Sequence, residues 1–115
     1  MGKVFDPKNY NCWHFVREAW KDLTSLDLGD QVPEHRSAES YTLQALKVAN
    51  TMIKLDKPSC PCLVLMQRKR IEPHVGIFYQ NRVLHLNTNG VEYRPLDQVT
   101  SKYPQVSFYA DHRLQ

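Results

Sequence analysis

Apolar and polar residues alternate along this chain in two distinct rhythms. Over the first rhythm, Cys12, Val16, Ala19 and Leu23 stand at i, i+4, i+7 and i+11, the spacing of one helical face. Phe15 and Trp20 widen that stripe, while Arg17, Glu18 and Lys21 fall on the other side. The spacing predicts a helix over residues 11–24, preceded by an extended lead-in whose Asn9 and Asn11 can cap it. Residues 24–33 lose the period and carry Gly29 and Pro33, so they read as a loop. A second helix is expected from an N-cap at Ser37, with Ala38, Tyr41, Ala45, Ala49, Met52 and Ile53 on its apolar face, ending before Lys57-Pro58.

The second rhythm is that of strands. Cys62–Met66 is a continuous apolar run of the kind buried on both faces. His74–Tyr79 and Arg82–Asn87 follow, joined at Gln80-Asn81 by what reads as a tight hairpin. Thr88-Asn89-Gly90 is a second turn, leading into Val91–Arg94. A short helical piece is expected near residues 96–103 and a last strand over Val106–Ala110. Two helices ahead of about five mostly antiparallel strands predict an α+β class, with the N-terminal helices packed on the sheet. At 115 residues, with no repeat and no low-complexity linker, the chain reads as a single domain spanning 1–115.

Composition narrows the function less than the pattern does. A 42% apolar and 23% charged content is that of ordinary globular chains, and the net charge of +3 does not demand an anionic partner. Basic residues are scattered apart from Arg68-Lys69-Arg70, a turn between strands, and no basic-aromatic pattern predicts nucleic-acid binding. No apolar run is long enough for a membrane span. The opening residues, Met1–Pro7, lack the apolar core of a secretory signal. Three cysteines, Cys12, Cys60 and Cys62, make no disulfide framework. Cys60-Pro61-Cys62 is spaced too tightly for a zinc pair; Cys62 is expected to be buried at the start of its strand.

Candidate chemistry starts at Cys12. A thiol at a helix N-terminus lies near unpaired N–H groups and the positive end of the dipole, which favour the nucleophilic thiolate. A lone cysteine on an apolar stripe is more often a small core residue, so the decision rests on what can meet it. His14 lies about 200° around the helix from Cys12, on the polar side, and His35 and His112 sit in a loop and near the C-terminus. His74 opens a strand. With the hairpin closed at Gln80-Asn81, position 74 lies opposite 87 and 76 opposite 85, so His74, Gly76, Val83, His85 and Asn87 share one face. Gly76 leaves that face bare for close approach by another element. A cysteine nucleophile, a histidine base and a third polar group to orient it, His85 or Asn87, make up an activated-nucleophile site.

Three strings, Asn11-Cys12-Trp13-His14-Phe15-Val16-Arg17-Glu18-Ala19-Trp20, His74-Val75-Gly76-Ile77-Phe78-Tyr79 and Val83-Leu84-His85-Leu86, together resemble the NlpC-type cysteine peptidases. These are papain-like cell-wall hydrolases with phage tail-associated members. Where the family usually has Asp-Cys-Ser-Gly, this chain has Asn11-Cys12-Trp13-His14. The resemblance implies a papain-like fold with Cys12 as nucleophile, His74 as general base and His85 as the orienting residue, Asn87 being the alternative. It implies an oxyanion held by the Cys12 backbone N–H with help from Tyr10, Trp13 near the substrate, and no metal or other cofactor. The implied reaction is hydrolysis of peptide bonds in peptidoglycan stems. Other phage tail proteins are possible partners. Synthesis in the cytoplasm with delivery by a virion tail or another carrier is the expected route. Two rivals are an inactive tail-assembly subunit that keeps the fold, and an amidase or acyltransferase on the same scaffold.

Overall fold

The computed structural model describes residues 12–28, 50–68, 71–87, 90–114. Helix α1 spans Cys12–Thr24. Strands β1 (Ile53–Leu55), β2 (Cys62–Arg68), β3 (Ile71–Tyr79), β4 (Arg82–Asn87) and β5 (Gly90–Pro95) follow, then α2 (Leu96–Lys102), β6 (Gln105–Ala110) and a 3-10 turn at His112–Leu114. The strands form one six-stranded sheet in the order β1-β6-β2-β3-β4-β5, and every pairing is antiparallel. The α+β class holds, with α1 packed on the sheet over β3 and β4. No helix among the described residues is long and apolar enough to cross a membrane.

The strand periodicity translates directly into two cores. On one face, Leu63, Leu65, Val75, Ile77 and Leu86 pack against Trp13, Phe15, Val16 and Trp20 of α1. On the other, Cys62, Val64, Met66, Phe78 and Val83 pack around Val99 of α2. Successive residues of β2 and β3 therefore feed opposite cores, which explains why β2 reads as an unbroken apolar run. The first core is closed at one end by a buried polar latch. The Trp20 indole donates to Asp111 Oδ2 at 3.2 Å, and Arg113 clamps the same carboxylate through Nε and Nη2 at 3.0 and 2.7 Å. Burial alone would raise the Asp111 pKa, but these donors outweigh it and hold the carboxyl below its usual value.

Two expectations need correction. The proposed second helix falls largely on residues outside the described set; within it, Asn50 and Thr51 are helical, but Ile53–Leu55 is strand β1, paired Ile53 to Ala110 and Leu55 to Phe108. Among the described residues the sheet thus has six strands where about five were expected: pairing with β6 satisfies backbone groups that a terminal helical turn would leave open. In α1 the buried stripe is turned toward the two indoles. Trp13 and Trp20 are buried, whereas Leu23 is exposed, because two large rings seven residues apart gain more from burial than one leucine. Cys62 is buried as expected, and Cys60 is exposed.

Candidate active site

Strand register builds the site. The turn residues Gln80 and Asn81 both have positive φ, 51° and 68°, the backbone of a two-residue hairpin turn that matches strand twist. It fixes Tyr79 opposite Arg82, Phe78 opposite Val83 and Ile77 opposite Leu84. Continued along the strands, the same register sets Gly76 opposite His85, with His74 one diagonal away. His74 is the partner of Met66 on β2, and His85 is the partner of Glu92 on β5. Three neighbouring strands therefore each contribute one polar side chain to the same face.

Those side chains touch. His74 Nε2 lies 2.8 Å from His85 Nδ1, with the rings nearly perpendicular. His85 Nε2 lies 3.5 Å from Glu92 Oε1, and Arg94 Nη2 lies 3.7 Å from Glu92 Oε2. Tyr103, just past α2, stacks on the His74 ring, and Arg68 lies over the face of Tyr103. A cavity of about 220 Å³ opens beside His85, lined also by Glu92, Arg94, Gln98, Lys102 and Tyr103. Burial drives the His74 pKa down to about 3, reinforced by His85 and Lys102. Burial also lowers His85, against the pull of Glu92, with Lys102 and Arg94 lowering it further. Both rings are therefore neutral at neutral pH, and the contact between them joins one N–H donor to one lone pair.

Gly76 serves this face in a way the sequence reading did not foresee. Among the described residues its nearest atoms belong to the neighbouring strands: an added Cβ would lie 2.9 Å from the Leu84 carbonyl oxygen and 3.0 Å from both Met66 Cε and Val83 Cγ1. Neighbouring strands fill the space themselves, which keeps β3 and β4 close where the two histidines meet.

The other expected site residues are placed as follows. Cys12 is the first described residue of α1; its side chain, that of Asn87 and the whole of Tyr10 lie outside the described residues. Trp13, expected at a substrate surface, is only 3% exposed and belongs to the core beneath α1, so it presents no face to a substrate. His14 is half-buried and His112 exposed, and His35 lies outside the described residues. Among the described residues no three His, Cys, Asp or Glu side chains converge as a metal site. Sheet parity adds one fact that matters for the chemistry. The histidines lie on the face covered by α2, while the buried stripe of α1 lies on the opposite face.

Glu92 is the member of this cluster that sequence reasoning missed. The signal was present in the turn-forming string Thr88-Asn89-Gly90: the β4–β5 register pairs Asn87 with Gly90, and the same count pairs His85 with Glu92. No protein-family model matches this chain, nor does any curated protein or solved structure.

Proposed function

We propose that this protein is a papain-like cysteine peptidase that cleaves peptide bonds in peptidoglycan stems. The observation that carries the proposal is the 2.8 Å contact between His74 and His85. It spends the Nε2 atom of His74 on an orienting partner and leaves Nδ1 as the nitrogen for a thiol. The order of the cysteine helix, the His-Val-Gly strand and the Leu-His-Leu strand supports the same reading, as does the location of Cys12 as the first described residue of α1.

In this mechanism Cys12 sulfur attacks the scissile carbonyl while neutral His74 takes the thiol proton. The tetrahedral oxyanion is held by the backbone N–H of Cys12 at the helix end. Collapse breaks the C–N bond, and His74 returns the proton to the leaving amine. Water, deprotonated by His74, then hydrolyses the thioester and restores the thiol. Because the α1 core and the histidines lie on opposite faces, the thiol must reach His74 around the end of β3, not through the sheet.

The parity of the sheet favours a second reading, a tail-assembly subunit that keeps the fold without catalysis. Digestion of purified peptidoglycan followed by mass analysis separates the two. Peptidase function predicts new stem-peptide termini with the wild type and none with Cys12→Ala. Intact stems with both proteins support the assembly subunit, and cleavage at the sugar-peptide amide supports an amidase.

A further inference from the structure

We infer that Glu92 is a positioning residue: its carboxylate selects the tautomer of His85 and, through it, that of His74. The inference rests on the proposed peptidase chemistry for its purpose, but its geometry stands on the relay alone. His85 has a neighbour at each ring nitrogen, His74 2.8 Å from Nδ1 and the Glu92 carboxylate 3.5 Å from Nε2. A carboxylate offers only lone pairs, so the favourable partner for Oε1 is an Nε2–H. His85 Nδ1 is then a lone pair and must accept, which makes His74 Nε2 the donor. The one proton left out of the relay is missing from His74 Nδ1, so that atom carries the lone pair a general base needs.

The opposite assignment fails on both sides. With its proton on Nδ1, His85 would turn a lone pair toward the carboxylate and a hydrogen toward His74. His74 would then be protonated at Nδ1 and unable to take a proton from a thiol. The remaining charged neighbours do not reverse this. Arg94 on β5 occupies the second oxygen of Glu92, and Lys102 of α2 lines the cavity beside His85 with Tyr103. Lys102 disfavours a proton added to either ring and Arg94 one added to His85, so the relay works with neutral imidazoles, where tautomer rather than charge decides which nitrogen is basic.

The test uses the full chain with 15N-labelled histidine and long-range 1H–15N spectra at pH 7, which read the tautomer of each ring. The wild type is expected to show both rings as the Nε2–H form. Glu92→Gln, whose amide can donate as well as accept, is expected to give mixed tautomers at both rings. It should also lower stem-peptide hydrolysis roughly 10–100-fold, the range for loss of an outer partner of a functional histidine. Glu92→Asp, which keeps the carboxylate, should retain the wild-type tautomers and guards against misreading a folding defect. A wild type with His85 protonated at Nδ1, or Glu92→Gln with tautomers unchanged, overturns the inference. Neither result bears on whether hydrolysis requires Cys12, which is decided separately by Cys12→Ala.

Discussion

The two faces of this sheet are made from the same strands yet do different work. The face beneath α1 is closed with Trp13, Val16, Trp20, Leu63, Ile77 and Leu86, and its buried acid, Asp111, is fully matched by Trp20 and Arg113. The face beneath α2 is apolar toward the hairpin end, around Cys62 and Phe78, but toward the start of β3 it carries His74, His85 and Glu92 beside a cavity. Alternation along one strand separates them: Val75 and Ile77 serve the first face, His74 and Gly76 the second. Each substitution should therefore register on one face and leave the other nearly silent.

The largest separation is expected from His74→Ala. Loss of a general base should reduce stem-peptide hydrolysis by about 10²–10⁴-fold, measured with purified peptidoglycan. The melting temperature at neutral pH should fall only modestly, because the variant loses the His85 contact and the Tyr103 stacking but leaves the α1 core intact. A comparable fall in both activity and stability would erase the distinction between the faces.

Trp20→Ala should behave in the opposite way. It opens a cavity in the α1 core and strips a donor from Asp111, at a cost of about 3–5 kcal/mol by denaturant unfolding. The 15N signatures of His74 and His85 should persist in the folded fraction. If instead the relay dissolves while the fold survives, the two faces are coupled more tightly than sheet parity implies.

Hairpin chemistry made much of this legible in the sequence. Gln80-Asn81 is a two-residue turn, and two residues are enough to count the register, so His74 and His85 could be placed on one face from the chain alone. Glu92 needed the same count applied across Thr88-Asn89. What the pattern could not supply was the azimuth of α1. Helical spacing accommodates a stripe through Cys12 and Leu23 as well as one through Trp13 and Trp20, and only packing volume against the sheet decides between them. Strand β1 was hidden because three residues are too few to show a period of two inside an apolar helical run. The reach of Cys12 to His74 is a tertiary matter that no local spacing encodes.

A smaller effect comes from pH. His74 titrates near its ordinary value of 6.5 when unfolded and near about 3 when folded, so below pH 6.5 the unfolded chain binds the extra proton. Stability is therefore fully present above that value and is lost as pH falls toward the folded value, by roughly 2 kcal/mol between pH 6.5 and 5. Thermal melts across that interval should show the decline, and His74→Ala should flatten it. An unchanged slope in the variant would mean that His74 is not held neutral by its face of the sheet.

An effect of similar size is expected at Gly76. Gly76→Ala pushes a methyl group against the Leu84 carbonyl oxygen and the side chains of Met66 and Val83, which should cost about 1–3 kcal/mol. Widening of the gap between β3 and β4 should appear as a weakened His74–His85 signature in the 15N spectra. Full retention of both stability and signature would show that the close approach is not needed to hold the pair.

The central claim is that an early thiol and a mid-chain imidazole meet at one end of β3 although their elements pack on opposite faces. A crystal structure that resolves Cys12 measures it directly. The account predicts Cys12 Sγ roughly 3–4 Å from His74 Nδ1, within reach for proton transfer in a resting enzyme. A thiol buried under α1, with the sheet between it and the histidine, would contradict it.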